Sequence, residues 1–131
     1  MRLVLLDTNV LIDVLNDRRG RRVFLDELFK DGISPVCCAV TVAEVYAGVR
    51  DQERVLTDAL FENLVELEIT RSVAIRAGLL KRDWARKGIT LTQPDVLIAA
   101  VAIEYGALLA TDNQRDFPMP ELRMLSLPKP S

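Results

Sequence analysis

A small set of acidic residues in this sequence has the positions and surroundings that chemistry would need. Each one follows a short apolar run or opens a helix that the pattern predicts. No lysine or arginine lies within four residues of Asp7 or Asp95. Carboxylates that gather without cations repel one another and raise some of their pKa values. A divalent cation relieves that repulsion, and Mg²⁺ or Mn²⁺ prefers oxygen ligands. The candidates are Asp7, Glu44, Asp95, Asp112 and Asp116.

The chain contains no histidine, and this narrows the chemistry further. Ser-His-Asp and Cys-His arrangements are excluded, and zinc sites built on histidine or on several cysteines are not expected. Cys37 and Cys38 are adjacent in an apolar run, so they predict buried thiols in a reducing cytoplasm rather than a disulfide framework. Catalysis would have to come from carboxylates, hydroxyls, lysines or a hard metal ion.

Length and charge place limits on the class of protein. The chain has 131 residues, half of them hydrophobic, which suits one domain over residues 1–131 with a real core. Its formal charge of −2 argues against a strongly basic nucleic-acid binder but permits local basic patches. No apolar stretch reaches the roughly 18 residues of a membrane span, and Met1 leads directly into a predicted strand. We therefore expect a cytoplasmic protein without a membrane partner.

The elements that must position these acids alternate between strand and helix. Apolar runs bounded by turn residues predict strands, and apolar residues at helical spacing predict helices. The stretch 64–70 is either a strand or the end of a helix, and 122–127 is a candidate edge strand. The predicted strands are 2–6, 35–40 and 107–111, and the predicted helices are 9–16, 23–31, 41–48, 51–63, 71–87 and 94–106.

This alternation predicts an α/β fold, with a small central parallel sheet of 4–5 strands flanked by helices on both faces. Ligands of such sheets bind beyond the carboxyl ends of the strands. The acids that follow strands are therefore expected at one edge.

Helix capping is an alternative explanation for two of the acids. Thr41 and Glu44 have the spacing of a capping box, with Thr41 as the N-cap. Thr92 and Asp95 have the same spacing, and Pro94 suits a first helical turn. Capping and chemistry remain open for both acids at this point.

The acids and their neighbours resemble the PIN domain, and more closely the VapC toxins of type II toxin–antitoxin pairs. The matching stretches follow in the family's order and span nearly the whole chain. They are "LLDTNVLIDVL" (5–15), "VTVAEVYAGV" (40–49), "PDVLIAAVAIEYGALLATDNQRDF" (94–117) and "LRMLSL" (122–127).

The resemblance implies an endoribonuclease that hydrolyses RNA phosphodiester bonds with a metal-activated water and leaves a 5′-phosphate. Its acidic, metal-binding cluster maps onto Asp7, Glu44, Asp95 and Asp116, with Mg²⁺ or Mn²⁺ as the ion. Asp116 matches the last acid because the family commonly shows Thr-x-Asn-x-x-Asp-Phe there, and Asp112 is a possible supplement. The polar residues expected to support the acids are Asn9, Thr111 and Asn113.

The resemblance also implies partners. They are a VapB-like antitoxin whose C-terminal segment covers the acidic site, the RNA substrate, and a second copy in a homodimer within a larger toxin–antitoxin assembly. Positive charge should line the acidic pocket, and we expect Arg21, Arg22 and Arg115 to contact phosphates in preference to the basic cluster at 81–87.

Three other functions remain compatible with the sequence. One is a PIN-fold nuclease that processes RNA outside a toxin–antitoxin pair. Another is a phosphotransfer domain, such as a haloacid-dehalogenase-like phosphatase or a response-regulator receiver, since both place Asp after a parallel strand. The phosphatase would require Asp-x-Asp where this chain has Asp7, Thr8 and Asn9. The third is a non-catalytic binding protein.

Overall fold

Four short parallel strands form the sheet in residues 2–128, which are the part of the chain that this computed structural model describes. The order across the sheet is β3-β2-β1-β4, and every pairing is parallel. The ends of the predicted domain, at 1 and 131, lie outside the described residues. The strands are β1 (Leu3–Leu6), β2 (Ser34–Cys38), β3 (Val65–Leu67) and β4 (Leu108–Ala110).

Helices cover both faces of this sheet, as the sequence predicts. Helices α5 and α6 pack on one face, and α1 and α2 pack on the other together with apolar side chains of α3 and α4. The helices are α1 (Thr8–Leu15), α2 (Arg21–Lys30), α3 (Ala39–Ala47), α4 (Arg54–Glu62), α5 (Arg71–Arg86) and α6 (Gln93–Tyr105).

Strand β1 shows why the sheet is buried on both sides. Leu5 packs into the core under α5 and α6, whereas Val4 and Leu6 pack into the core under α1 and α2. All three side chains are fully buried, which agrees with a continuous apolar run in a two-sided parallel sheet. Such a strand exposes its polar successors only where it ends.

Helix α6 begins and ends as the sequence predicts. Thr92 is its N-cap, and Thr92 Oγ1 accepts the Asp95 amide N–H at 3.3 Å. Pro94 lies in the first turn, and Gly106 ends the helix with φ of 66°, a left-handed conformation that glycine adopts at low cost. The apolar centre of the helix is buried on nearly all sides.

The predicted boundary between β2 and α3 is wrong by two residues. The strand ends at Cys38, and the helix begins at Ala39 rather than at Thr41. Cys38 is the N-cap, and its amide N–H donates to Thr41 Oγ1 at 3.1 Å. Thr41 is therefore the third helical residue, and Glu44 lies in the second turn, beyond the positions of a capping box. The capping explanation for Glu44 is removed.

The structure refines the prediction for three other stretches. The predicted helix over 51–63 is divided into a 3₁₀ turn, Asp51–Glu53, followed by α4. The ambiguous stretch 64–70 contains the edge strand β3. The candidate strand at 122–127 is reduced to one parallel bridge between Leu109 and Met124. Within residues 2–128, no helix is both long and apolar enough to cross a lipid bilayer.

Candidate functional site

The sheet brings acids from four separate segments to the edge where its strands end. Asp7 directly follows β1, and its amide N–H donates to Ala110 O of the neighbouring strand at 3.0 Å. Glu44 lies on α3, which follows β2, and Asp95 lies in the first turn of α6. Asp116 ends a 3₁₀ turn, Gln114–Asp116, in the loop after β4.

Asp7 is the innermost of these acids, with 6% of its surface exposed. Its Oδ1 accepts the Thr8 amide N–H at 2.8 Å, so Asp7 itself is the N-cap of α1. Its Oδ2 accepts the hydroxyl of Thr111 at 2.6 Å, and Thr111 is also buried. One carboxylate therefore both caps a helix and enters the acidic site, with each oxygen held by a separate donor.

Thr8 is a site residue that the sequence reasoning missed. Its hydroxyl donates to Glu44 Oε1 at 2.6 Å, and its amide N–H holds Asp7. Thr8 thus connects the acid after β1 to the acid on α3. Its position directly after Asp7, at the strand exit where the site was expected, was the one signal in the sequence that could have identified it.

Burial and the neighbouring acids disfavour ionisation in this cluster. Burial raises the pKa of Asp7, and Glu44 and Asp116 raise it further, while the bonds from Thr111 and Thr8 act in the opposite direction. Burial also raises the pKa of Asp95, and Asp116, Asp7 and Glu44 add to the effect, whereas the Thr92 side chain opposes it. The four acids therefore act on one another electrostatically, as one cluster.

No lysine or arginine in residues 2–128 forms an ion pair with any of these four acids. The four carboxylates do not converge on one point. Across residues 2–128, no group of three or more acidic, histidine or cysteine side chains could hold a metal ion in this arrangement. Glu44 and Asp116 are exposed, whereas Asp7 is buried and held by two hydrogen bonds. In its chemistry, the donor set consists of oxygens with surplus negative charge and so fits a hard divalent cation.

Asp112 forms ion pairs, unlike the other four acids, although the sequence predicted it as a possible supplementary metal ligand. Its Oδ1 accepts Arg21 Nη2 at 2.7 Å, and its Oδ2 accepts Arg19 Nη1 at 3.0 Å. Both carboxylate oxygens are thus engaged by guanidinium groups. Asp112 is an ion-paired acid, and Asp116 is the acid of this loop that joins the cluster.

The structure does not support the predicted phosphate contacts of Arg21 and Arg22. Arg21 is 1% exposed and directed at Asp112, so RNA cannot reach its guanidinium. Arg22 donates from Nε to Val14 O at 2.8 Å and from Nη2 to Leu15 O at 2.9 Å, and these bonds cover the carboxyl end of α1. Arg21 is thus committed to the interior of its own domain. The Arg22 side chain is 49% exposed, so its contact with RNA stays a prediction.

The remaining predicted residues lie at the same edge of the sheet or next to it. Arg115 and Asn9 are exposed, Arg115 in the acidic loop and Asn9 in the first turn of α1. Asn113 is exposed as well, and its amide N–H donates to Thr111 Oγ1 at 3.0 Å. Thr111 consequently connects Asp7 to the loop that carries Asp116.

Comparison with known sequences identifies one family. The sequence model described as "PIN domain" matches residues 4–119. A protein of Mycobacterium tuberculosis named Ribonuclease VapC19 is 34% identical over 120 residues, which are 91% of this chain and 96% of the relative. Ribonuclease VapC1 of Methanocaldococcus jannaschii is 32% identical over 117 residues, covering 87% of this chain and 78% of the relative.

Solved structures show the same fold. A chain from a toxin–antitoxin complex of Klebsiella pneumoniae superposes with a TM-score of 0.75 at 26% identity, covering 91% of this chain and 94% of the other. A chain of VapBC2 from Rickettsia felis, bound to a DNA fragment from its promoter, gives a TM-score of 0.83 at 23% identity, with coverages of 94% and 97%.

Proposed function

This chain belongs to the PIN-domain family, and on that premise we propose that it is a metal-dependent endoribonuclease that acts as the toxin of a VapBC-type toxin–antitoxin pair. The proposed domain spans residues 1–131, and the proposed setting is the cytoplasm, where RNA and the antitoxin are made. Family membership takes the place of the phosphatase and receiver alternatives, since neither is a PIN domain.

The observation that carries this proposal is the cluster of Asp7, Glu44, Asp95 and Asp116 at the carboxyl edge of the sheet. Four carboxylates meet there, and the pKa values of Asp7 and Asp95 rise because of burial and the other acids. A fold keeps such mutually repelling groups at a cost in stability, which functional sites commonly bear.

The proposed metal ligands are these four acids, with Mg²⁺ or Mn²⁺ as the ion. When bound, such an ion lowers the pKa of water and stabilises negative charge on the scissile phosphate. Asp7 and Asp95 form the inner, more buried pair, and Glu44 and Asp116 form the outer pair. Thr111 and Thr8 orient the carboxylates of Asp7 and Glu44 through bonds of 2.6 Å each.

Substrate and partner follow from the relatives. Relatives named ribonucleases support an RNA substrate, with Arg115 as the proposed phosphate contact at the acidic loop and 5′-phosphate product ends. The toxin–antitoxin complex from Klebsiella pneumoniae supports an antitoxin partner. We propose that this antitoxin is VapB-like and that the toxin forms homodimers within a larger assembly.

Purified protein incubated with pooled transfer RNAs and Mg²⁺ or Mn²⁺ tests the activity. We expect cleavage that EDTA abolishes, and fragments whose 5′ ends a phosphatase must treat before they can be labelled by a kinase. Ribosomal RNA and messenger RNA are tested in the same way. If none of the three is cleaved with either metal, the protein is not a nuclease and the non-catalytic alternative is favoured.

A further inference from the structure

An ion-pair network centred on the buried Arg21 joins the start of α2 to the loop after β4. Arg21 lies in the first turn of α2, and its Nη2 is 2.7 Å from Asp112 Oδ1. Arg19 Nη1 lies 3.0 Å from Asp112 Oδ2. Asp13 Oδ2, on α1, lies 3.6 Å from Arg21 Nε and 3.7 Å from Arg19 Nη1. Two arginines and two acids from three segments thus converge beside the acidic cluster.

Fold stability explains this network poorly. Arg21 Nε, Arg21 Nη1 and Asp13 Oδ2 are buried without a hydrogen-bond partner in residues 2–128. The free-energy cost of desolvating such groups offsets much of their electrostatic attraction. Apolar replacements of a buried ion pair are therefore often neutral or stabilising. The connection that aims the arginines is also costly, since Arg19 has φ of 57° in the left-handed region.

The contacts of Asp112 indicate what the network does. Asp112 is flanked by Thr111, which donates to Asp7 Oδ2 at 2.6 Å, and by Asn113, whose amide N–H donates to Thr111 Oγ1 at 3.0 Å. The Asp116 amide N–H in turn donates to Asn113 O at 2.9 Å. A fixed Asp112 therefore fixes the backbone that carries both the donor to Asp7 and the outer acid Asp116.

Resting on the proposed function, we propose that Arg21 and Asp112 are positioning residues that hold the 111–116 loop so that Thr111 and Asp116 join the acidic cluster. Neither residue is a metal ligand or an RNA contact. Arg21 acts through Asp112, Asp112 acts through the loop backbone, and Arg19 and Asp13 complete the charge balance around them.

The test compares the metal-free protein carrying Asp112→Asn, Arg21→Met or both substitutions with the wild type. A matched control is Glu104→Gln, which removes the charge from a 2.7 Å pair with Arg76 on α5 and α6. Three quantities are measured: Mn²⁺ affinity from the free-ion electron paramagnetic resonance signal, amide hydrogen exchange at Asn113 and Asp116, and the melting temperature.

We expect each single variant to weaken Mn²⁺ binding by about 10–100-fold, the range for residues that orient metal ligands. Exchange at the two amides should rise by about tenfold or more. The Mn²⁺ affinity of the double variant should be no lower than that of the single variant that binds Mn²⁺ more weakly, because the pair acts as a unit. Glu104→Gln should stay within about twofold of the wild type.

Several results would overturn the proposal. One is Mn²⁺ affinity within twofold of wild type in Asp112→Asn, whether or not its melting temperature falls. Another is an equal loss in Glu104→Gln. If Arg21→Met does not fold, Asp112→Asn and the double variant decide. If the wild type neither binds Mn²⁺ nor cleaves RNA, the proposed function fails, and the exchange rates at Asn113 and Asp116 still decide whether the pair holds the loop.

Discussion

Asp7 carries two roles, as the N-cap of α1 and as an acid of the candidate site. Its backbone is extended, with φ of −68° and ψ of 158°, and its Oδ1 caps α1 while Oδ2 accepts the Thr111 hydroxyl. A helix N-terminus needs an oxygen that accepts a backbone N–H. An aspartate at this position supplies that oxygen and leaves its second carboxylate oxygen for the candidate site. Capping therefore strengthens the assignment of Asp7 to the site, because it fixes the carboxylate.

Thr111→Val should move the pH dependence of RNA cleavage. The Thr111 hydroxyl donates to the charged form of Asp7 and lowers its pKa, against the upward effect of burial. Its loss raises that pKa further, so the acidic limb of the cleavage profile should shift to higher pH. Stability should fall by about 1–3 kcal/mol, because the Asn113 amide N–H also loses its acceptor.

Thr111→Ser keeps the hydroxyl and serves as the control. It should retain the wild-type acidic limb, although loss of a buried methyl group lowers stability by about 1 kcal/mol. An unshifted limb in Thr111→Val would show that this bond does not govern the ionisation of Asp7.

Asp95→Asn should stabilise the metal-free protein at neutral pH. The folded-state pKa of Asp95 is raised, so its ionisation weakens the fold above the ordinary aspartate pKa of about 4. The gain in melting temperature, measured in EDTA, should therefore be present at pH 7 and vanish as the pH falls below about 4. A lower melting temperature at pH 7 would show that Asp95 serves the fold rather than a functional site.

At the scale of elements, an N-cap fixes the first turn of its helix and with it any acid that the turn carries. Thr92 and Thr70 are matched N-caps, and each Oγ1 accepts the amide N–H three residues on, at 3.3 Å for Asp95 and 3.2 Å for Val73. The difference between them is that only the Thr92 cap begins a helix whose first turn carries a site acid.

Thr92→Ala and Thr70→Ala should each cost about 1 kcal/mol of stability, measured by urea unfolding. Only Thr92→Ala should also slow RNA cleavage, by about tenfold, because it frees the turn that holds Asp95 and removes a side chain that lowers the pKa of Asp95. Equal cleavage rates in the two variants would show that the α6 cap has no role at the site.

The elements that could be predicted are those with an unambiguous local pattern. The apolar run before Asp7 predicts a buried strand, and α6 carries Thr92, Pro94 and Gly106 at its two ends. The boundary after β2 was missed because Ala39 and Val40 continue the apolar run and suit either element. Thr41 caps α3 from the third helical position, where its Oγ1 accepts the Cys38 amide N–H. Its spacing to Glu44 had instead predicted Thr41 as the N-cap.

The site itself could be predicted as far as its strand exits. Position and residue type predict Asp7, Glu44, Asp95 and an acid of the 111–117 loop as candidates. The choice of Asp116 and the role of Thr111 came from the family resemblance, and neither source predicts the ion pairs of Asp112. Its partner Arg21 lies 91 residues away and reads locally as part of a solvated basic cluster. Only the tertiary fold buries that arginine against Asp112, so the sequence predicted a phosphate contact for Arg21 and a possible metal ligand in Asp112.

At the scale of the whole molecule, two apolar cores hold the sheet between layers of helices and leave its carboxyl edge acidic. The layers make that edge rigid around Asp7 and Asp95 and leave Glu44 and Asp116 exposed. An ion that binds only the folded chain should relieve the repulsion and stabilise the entire domain by mass action.

Mn²⁺ at about one hundred times its dissociation constant should therefore stabilise the wild type by about 2.7 kcal/mol, measured by thermal unfolding with and without EDTA. Asp7→Asn should lose this stabilisation. Asp26→Asn, an exposed acid on α2, should keep it. Equal stabilisation of all three proteins would place the ion elsewhere.

The central claim is that the four acids form one metal-dependent nuclease site, and cleavage of RNA by single variants tests it most directly. Asp7→Asn, Glu44→Gln, Asp95→Asn and Asp116→Asn are compared with Asp26→Asn at equal concentration in Mn²⁺. We predict that Asp7→Asn and Asp95→Asn lose cleavage by about 1,000-fold or more while remaining folded, and that Asp26→Asn cleaves like the wild type. Wild-type cleavage by a folded Asp7→Asn or Asp95→Asn would contradict the account.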